Sequence, residues 1–327
     1  MTTATPSGTP GTALVSLRDR VAAEVRRVVI GQDEVVDLLL AAAVVGGHVL
    51  LEGVPGVAKT LLARAWSAAL GLDFRRVQFT PDMLPSDLSG TVTLRFDPLL
   101  PNDAGGRQDV AFRPGPVFTN VLLADEINRT PPKTQAALLE AMQEAQVSVD
   151  GVSHPLPRPF LVVATQNPIE YEGTYPLPEA QLDRFMTRVA LGYPTADDEA
   201  DMLAVHAEGD RVLDLQPVAA VGEVLAAQQA AFKVHASEAL RRYVVAVLEQ
   251  TRQDPRTELG ASPRAGLMLL KAAKALAALE GRDHALPDHV QALAPSVLTH
   301  RLLLAADAAG GDRADVVRDA LERVPAL

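Results

Sequence analysis

The chain contains no cysteine and few aromatic side chains. Without cysteine it can form no disulfide, no thiolate metal site and no cysteine nucleophile, which fits a reducing compartment. Aromatic residues make up 4% of the 327 residues, whereas hydrophobic residues make up 48%. The core must therefore be built mainly from leucine, valine and alanine. That composition favours packed helices and a parallel sheet over an all-β sandwich.

Positive charge is also in short supply, because 30 lysine and arginine residues face 41 aspartate and glutamate residues. The formal net charge of −11 argues against general attraction to nucleic acids or anionic membranes. The most apolar stretch, residues 38–51, is too short to span a bilayer and contains Gly46, Gly47 and His48. Residues 1–11 lack the basic and apolar pattern of a signal peptide, so we expect a cytoplasmic protein without membrane insertion.

Apolar periodicity divides the chain at about residue 194. Before that point, a tail over 1–12 that we expect to be disordered precedes an alternation of helices and short apolar strands. We predict helices over 14–28, 33–45 and 59–70, and strands over 48–52, 121–124 and 160–164. The stretch 75–120 is too long for a simple crossover and should hold inserted structure. Asp150-Gly151 predicts the turn of a hairpin over 147–154.

Beyond residue 194 the sequence predicts almost only helices. The apolar residues have helical spacing in six segments, namely 196–206, 218–232, 238–251, 263–280, 287–304 and 315–324. Thr195, Ser262-Pro263 and Leu286-Pro287 are typical helix starts. We therefore expect an α/β domain over 13–194 and an all-α domain over 195–327.

A glycine-rich loop follows the first predicted strand. It comprises Gly53, Val54, Pro55, Gly56, Val57, Ala58, Lys59 and Thr60, and Leu61 continues it into a helix. Backbone N–H groups of such a loop wrap a β-phosphate at a helix N-terminus, where the helix dipole also favours anions. Lys59 would reach the β- and γ-phosphate oxygens, and the Thr60 hydroxyl would bind Mg²⁺. Ala58 stands where the common motif has glycine, and we expect it to fit a helix start.

Two adjacent carboxylates, Asp125 and Glu126, end the apolar strand over 121–124. Taken alone, such a pair is as easily explained by solvent-exposed carboxylates at the end of a strand as by a catalytic site. Behind a phosphate loop, however, Asp125 is placed to hold Mg²⁺ through water and Glu126 to activate the attacking water. The loop and the carboxylates together predict a nucleoside-triphosphate hydrolase that uses Mg²⁺.

An amide and several arginines are further candidates. Asn167 follows the next predicted strand and could orient the attacking water, although Asn-Pro is also a common turn. Arg184 could be a catalytic arginine, or it could form an ordinary surface ion pair with Asp183 or Glu179. Arg188 and Arg129 are the other candidates for a catalytic arginine. Arg264 lies at a helix start, where a cation costs about 0.3–1 kcal/mol unless an anion such as a γ-phosphate binds beside it.

These motifs resemble the MoxR-type branch of the AAA+ ATPases, and the resemblance extends from residue 30 to residue 301. The shared segments are 53–60 (GVPGVAKT), 122–129 (LLADEINR), 164–168 (ATQNP) and 177–185 (LPEAQLDRF). The resemblance implies an α/β fold, with a P-loop AAA+ αβα core built on a parallel sheet and followed by an all-α lid domain. It also implies an insert at about 80–119 and a hairpin at about 146–158.

The resemblance assigns roles to individual residues as well. Asn167 matches the sensor-1 position, Arg184 the arginine finger that acts on a neighbouring subunit, and Arg264 the sensor-2 arginine. Val29, Ile30 and Gly31 would line the adenine pocket. A lid that rotates against the core through Arg264 and a hinge near 194 would pass the energy of hydrolysis to a client.

Family members assemble as ring hexamers and are thought to remodel protein clients, often with a partner that carries a von Willebrand factor A domain. Three other functions are compatible with the motifs: a DNA motor or loader, the motor subunit of a metal chelatase, and a nucleotide-gated scaffold that does not hydrolyse ATP. The excess of acidic residues, and Asp150 at the tip of the hairpin, argue against nucleic-acid binding and so against a DNA motor.

Overall fold

The computed structural model describes residues 10–95, 109–167, 174–207, 211–306 and 312–326. The α-helices are α1 (Pro10–Arg26), α2 (Asp33–Val45), α3 (Lys59–Ala69), α4 (Pro85–Ser89), α5 (Pro132–Glu144), α6 (Glu179–Leu182), α7 (Ala196–His206), α8 (Val221–Lys233), α9 (Glu238–Gln253), α10 (Pro263–Leu279), α11 (Pro287–Leu298) and α12 (Arg313–Arg323). The strands are β1 (Val49–Gly53), β2 (Phe74–Gln78), β3 (Gly90–Arg95), β4 (Asp109–Pro114), β5 (Val121–Asp125), β6 (Gln146–Val149), β7 (Val152–Pro155), β8 (Leu161–Gln166), β9 (Thr187–Leu191), β10 (Thr257–Leu259) and β11 (Leu303–Leu304).

A five-stranded parallel sheet forms the centre of the fold, in the order β2-β5-β8-β1-β9. The inner strands β1, β5 and β8 are almost completely buried, as expected of continuous apolar runs covered by helices on both faces. Since all five strands run in one direction, the loops that follow β1, β5 and β8 meet at one edge of the sheet. This arrangement confirms the predicted αβα core.

The strands at the two edges of the sheet, β2 and β9, escaped prediction from the sequence. β2 has the sequence FRRVQ and β9 the sequence TRVAL, so neither is the uninterrupted apolar run that identifies the inner strands. Edge strands are covered by neighbours on one side only, which allows charged residues within them. The two strands place three arginines, Arg75, Arg76 and Arg188, within the sheet.

The stretch between β2 and β5 contains helix α4 and the antiparallel pair β3 and β4, and residues 96–108 of the expected insert lie outside the described residues. β6 and β7 pair as a hairpin. Asp150 and Gly151 at its turn both have positive φ, 50° and 80°, the geometry of the favoured two-residue hairpin turn.

The described residues after 194 are mainly helical, as the fold class requires. β10 and β11 form a short antiparallel pair, so the helix predicted to run to residue 304 ends at Leu298 and continues as a 3-10 helix over Thr299–Arg301. Side-chain caps form at two of the three helix starts named from the sequence: Thr195 accepts from the N–H of Asp198, and Ser262 accepts from that of Ala265. Leu286 at the third start makes no such hydrogen bond.

Helix α1 begins at Pro10, inside the tail that the sequence predicts over 1–12, and residues 1–9 lie outside the described part. It packs against α2 and α3 of the α/β part and against α8 and α10 of the helical part. The first helix therefore bridges the two parts. None of the described helices is long and apolar enough to cross a membrane.

Candidate active site

The phosphate loop joins the end of β1 to the start of α3. A Cβ at Gly53 would lie 2.7 Å from the carbonyl oxygen of Leu191, so the close approach of β9 requires glycine there. The Lys59 ammonium donates hydrogen bonds to the carbonyl oxygens of Gly53 and Val54, the latter at 3.1 Å. The loop thus curls around its own lysine at the amino end of a helix, a geometry that favours anions.

Ala58 directly precedes Lys59 and has φ 60°, in the left-handed region. The sequence predicts that alanine can sit at this helix start, and the structure places it directly before α3, but in a backbone conformation that favours glycine. The methyl group costs about 1–2 kcal/mol in this region. Gly56, with φ 90°, supplies the other left-handed residue of the loop without that cost.

Asp125 is fixed by the strands on both sides of β5. Its Oδ1 accepts a 2.6 Å hydrogen bond from the Thr165 hydroxyl of β8. Its Oδ2 accepts from Arg76 of β2, at 2.9 Å from Nε and 2.7 Å from Nη2. The sequence singled out neither partner for this role. Both lie far from Asp125 in the chain, and only the pairing of the strands brings them together.

Glu126 leaves the strand in the left-handed region, with φ 56°. Its backbone N–H donates to the Thr165 hydroxyl at 2.9 Å, so one hydroxyl contacts both acidic residues. Its Oε2 accepts from Gln78 Nε2 at 2.6 Å and lies 3.3 Å from Arg129 Nη1. Arg76 also donates to Gln78 Oε1, at 2.6 Å. A hydrogen-bonded network from β2 therefore holds both carboxylates.

A cavity of about 390 Å³ separates the loop from the two carboxylates. Asp125, Glu126, Thr165 and the buried Asn167 line one side of it. The other side is formed by Pro55, Gly56, Val57, Ala58, Lys59, Thr60 and Leu61. The structure thus brings the predicted phosphate, magnesium and water-activating residues to one cavity at the carboxyl edge of the sheet.

A smaller cavity, of about 170 Å³, adjoins the first and shares the loop residues 55–58 with it. Val29 and Ile30 line it, as the family resemblance implies for the adenine pocket. Gly31 instead lies against the helical part, since a Cβ at this position (φ 73°) would come within 2.7 Å of Asp198 Oδ2. Gly31 is therefore required by the backbone and by this close approach.

Tyr193 and Met202 complete the smaller cavity, and the sequence pattern did not mark either of them as a site residue. The Tyr193 side chain is exposed, at 79%. An exposed aromatic ring next to an apolar slot suits the face of a purine base. The signal for it was present in the sequence, since Tyr193-Pro194 marks the boundary between the two domains.

Arg184 and Arg264 lie together, but away from the phosphate loop of their own chain. They line a cavity of about 380 Å³ with Gly46, His48 and Met142. Arg184 precedes β9, whose first residue pairs with Val49 at the start of β1. The phosphate loop follows the other end of β1, about 13 Å away at about 3.3 Å per strand residue.

Arg264 therefore does not sit beside a γ-phosphate bound by its own loop. The anion beside it is Asp183, whose Oδ2 lies 3.6 Å from Arg264 Nε. The sequence could not reveal this, because the position of Arg264 depends on how the helical part packs on the sheet. A lid that acts through Arg264 on the nucleotide of its own chain is inconsistent with this placement.

The two rival arginines are engaged within the chain. Arg188 pairs with Glu52, a buried residue of β1. Arg129 lies near Glu126 in the network described above. Arg184 and Arg264 thus share a cavity near the amino end of β1, whereas the rivals contact acidic residues of β1 and of the candidate site.

His48 forms part of the floor of the arginine cavity. Its Nδ1 accepts from the N–H of Val162 at 3.0 Å, and its Nε2 lies 3.0 Å from the carbonyl oxygen of Met142. The ring is buried, and this burial lowers the pKa of His48 to about 4. The imidazole is therefore neutral near pH 7, with its proton on Nε2, and forms a structural link between β1, β8 and α5.

The donor set of the larger cavity fits Mg²⁺. The Thr60 hydroxyl and the Asp125 carboxylate both line it, and hard oxygen ligands of this kind are those that Mg²⁺ prefers. Both oxygens of Asp125 already accept hydrogen bonds from protein groups. Contact through a water molecule therefore suits Asp125 better than direct coordination. Among the described residues, no cluster of three or more His, Cys, Asp or Glu side chains could hold a metal by itself.

Two family models match the chain. Residues 48–187 match the ATPase family associated with various cellular activities (AAA), and residues 249–320 match the AAA lid domain. The first match contains the phosphate loop, both carboxylates and Arg184, and the second contains Arg264.

Similar proteins of known sequence span most of the chain. The chain is 44% identical to the chaperone MoxR1 of Mycobacterium tuberculosis over 93% of its own length and 81% of the relative. It is 47% identical to the uncharacterized protein YeaC of Bacillus subtilis over 86% of the chain and 85% of the relative. Protein MoxR of Paracoccus denitrificans is 35% identical over 85% of the chain and 86% of the relative.

Solved structures support the fold over nearly its full length. A crystal structure described as a candidate ATPase of Cytophaga hutchinsonii has a TM-score of 0.87 and 38% identity, covering 97% of each chain. A homologue of MCM from Methanopyrus kandleri has a TM-score of 0.58 at 20% identity, over 99% of this chain and 64% of that one, and shows the fold alone. The identities, coverage and two family models lead to one conclusion: the chain belongs to the MoxR family of AAA+ ATPases.

Proposed function

We propose that the protein hydrolyses Mg-ATP at a site that two copies of the chain complete together. The observation that supports this is the separation of two groups of residues across the sheet. The phosphate loop, Asp125, Glu126 and Asn167 share one cavity at the carboxyl edge. Arg184 and Arg264 share another cavity near the amino end of β1. In a head-to-tail assembly, the arginines of one copy would face the phosphates bound by the next.

The residues divide the chemistry among themselves. Lys59 and the backbone N–H groups of the loop bind the phosphate oxygens, and Thr60 and Asp125 hold Mg²⁺, which neutralises phosphate charge. Glu126 accepts a proton as the water oxygen bonds to the γ-phosphorus and the bond to the bridging oxygen breaks. Asn167 orients that water. Arg184 and Arg264 of the neighbouring copy stabilise the charge that develops on the γ-phosphate.

The assembly and the client are further parts of the proposal. A closed head-to-tail ring, with six copies as in the family, brings every nucleotide site next to a pair of arginines. The Mycobacterium tuberculosis relative is named a chaperone. We extend that activity to this chain as remodelling of a protein client, assisted by a partner with a von Willebrand factor A domain. We place this activity in the cytoplasm.

ATP turnover, measured together with molecular mass by light scattering in each nucleotide state, tests the proposal. Glu126→Gln should lower turnover by about 10²–10⁴-fold, the usual contribution of a general base. Arg184→Ala should lower it by about 10³–10⁵-fold, as for other arginine fingers. Glu140→Gln and Arg242→Ala, which change exposed residues of α5 and α9, are the matched controls and should retain turnover.

Two of the alternative functions, the scaffold and the DNA motor, predict different results in these assays. No turnover, with no change of mass on adding ATP, would contradict the motor and favour a nucleotide-gated scaffold. ATP-dependent binding to DNA that weakens steeply with salt would favour a DNA motor. Turnover lost in Glu126→Gln but retained in Arg184→Ala would contradict the shared site while leaving an ATPase.

A further inference from the structure

Arg301 is a buried arginine of the helical part whose side chain is 1% exposed. It lies in the 3-10 helix that follows α11, and its guanidinium points at residues 183–186, which we call the arginine turn because they contain Arg184. Nε donates to Asp183 Oδ1 at 2.8 Å, and Nη2 donates to the carbonyl oxygens of Phe185 and Asp183 at 2.5 and 3.3 Å. Nη1 donates to the carbonyl oxygen of Met186 at 3.2 Å. One side chain thus contacts the residues on both sides of Arg184.

The arginine turn is also tied to the sheet. The backbone N–H of Met186 donates to the carbonyl oxygen of His48 at 2.7 Å, immediately before β1. His300, next to Arg301, places Nε2 at 3.2 Å from the carbonyl oxygen of Phe185. The turn is therefore held between the helical part and the amino end of β1, and neither attachment uses the Arg184 side chain.

Asp183 connects the two candidate arginines. Its Oδ1 accepts from Arg301, and its Oδ2 lies 3.6 Å from Arg264 Nε. The carboxylate therefore fixes Arg264 relative to the same turn that fixes the backbone of Arg184. Lysine could not replace Arg301 here, because a guanidinium offers five N–H donors in a planar fork and an ammonium offers three around a point.

We propose that Arg301 is a positioning residue that holds Arg184 and Arg264 as one rigid unit and presents both to the phosphates of the neighbouring copy. This inference rests on the proposed function, in which those arginines act in trans. It gives the helical part a specific task. The lid moves together with the arginine turn, and does not swing independently of it about a hinge near residue 194.

Subunit mixing tests this positioning role separately from folding. Arg301→Lys keeps its own phosphate loop and Glu126 but should present Arg184 and Arg264 poorly to its neighbour. Glu126→Gln keeps the arginines but cannot activate water. In a mixed ring, an Arg301→Lys subunit that receives its arginines from a Glu126→Gln neighbour has a complete site. Arg184→Ala mixed with Glu126→Gln is the reference pair.

Arg301→Lys alone should lower kcat by about 100-fold, the effect of a displacement of roughly 1 Å of a catalytic group, with the Kd for ATP unchanged. Mixing with Glu126→Gln should restore turnover to the level of the reference pair. Arg256→Lys is the matched control, because Arg256 pairs with Asp254 and Asp319 inside the helical part, and should retain wild-type turnover.

Two results would overturn the proposal: a kcat of Arg301→Lys equal to that of wild type, or a mixture of Arg301→Lys with Glu126→Gln that stays inactive while the reference pair recovers. If Arg301→Lys does not co-assemble by light scattering, Asp183→Asn, a milder change at the same contact, takes its place in the mixing test. A mixture of Asp183→Asn with Glu126→Gln that stays inactive while the reference pair recovers then overturns the proposal. If the reference pair itself does not recover, the shared site of the proposed function fails first.

Discussion

The Thr165 hydroxyl makes a hydrogen bond to each of the two acidic residues of the site. It donates to Asp125 Oδ1 at 2.6 Å and accepts from the N–H of Glu126 at 2.9 Å, and the residue is fully buried. Thr165→Val keeps the shape of the side chain and removes only the hydroxyl. Both hydrogen bonds are lost, and the surrounding strands stay packed.

The cost of that loss can be worked from the two bonds. A hydrogen bond to a charged group contributes about 1.5–3 kcal/mol, and a buried N–H left without a partner costs about 1–3 kcal/mol. The bonds share one oxygen, so their contributions are not additive. We expect Thr165→Val to lower the free energy of unfolding by about 3 kcal/mol. Turnover should fall as well, because Asp125 and Glu126 lose a common anchor.

Thr187 supplies a matched control. It is fully buried at the start of β9, and among the described residues its hydroxyl has no hydrogen-bond partner. Thr187→Val removes a polar group that is buried without compensation, so it should raise the free energy of unfolding by about 1 kcal/mol. The same chemical change thus has opposite predicted signs at the two sites.

Urea unfolding followed by tryptophan fluorescence measures both effects. Trp66 is the single tryptophan, and it is buried in α3, the helix that follows the phosphate loop, so its emission reports on the part of the fold that carries the site. ATP turnover is measured on the same samples below the unfolding transition. Equal stability changes in the two variants, or a Thr165→Val protein as stable and active as wild type, would refute the reasoning.

Three further predictions follow from the geometry. Ala58→Gly should raise the free energy of unfolding by about 0.7 kcal/mol, because relief of the left-handed strain exceeds the added entropy of the unfolded chain; a destabilised variant would contradict the strain. Tyr193→Ala should raise the Kd for ATP about 10-fold by removing a stacking surface, as measured with a fluorescent nucleotide, and an unchanged Kd would exclude stacking. Proton uptake linked to His48 is expected to lower the free energy of unfolding by about 1.5 kcal/mol as the pH falls from about 6.5 to about 5, and His48→Gln should reduce the slope of that part of a stability profile. Burial also lowers the pKa of His300, which supplies the remaining slope. The sign follows from the His48 pKa of about 4, since the unfolded chain takes up the proton at higher pH than the folded one; an unchanged slope would contradict it.

The parts of the site that the sequence predicted are those with a local origin. A buried strand, a glycine-rich loop and a helix follow one another within residues 49–69, so the loop geometry depends on neighbours in the chain. The same holds for Asp125 and Glu126, which directly follow a strand with a clear apolar pattern. Since parallel strands place their carboxyl ends at one edge, the meeting of these groups could also be anticipated.

The remaining site residues depend on long-range packing. Arg76 and Gln78 reach the carboxylates only because β2 pairs with β5, and the charged sequence of β2 hid it as a strand. Ala58 appears ordinary in sequence, and only its backbone angle shows the strain. Arg264 lies near the amino end of β1 because of how α10 packs on α2 and α11, which no local pattern encodes.

The central claim is that one copy supplies the phosphate loop and water-activating residue, and the next supplies the arginines. Mixing Arg184→Ala with Glu126→Gln over a range of ratios, at constant total protein, tests it most directly. Each variant alone should be nearly inactive, and the mixtures should regain ATP turnover with a maximum at intermediate ratios. Mixed assemblies that form by light scattering, yet stay as inactive as the separate variants at every ratio, would contradict the claim.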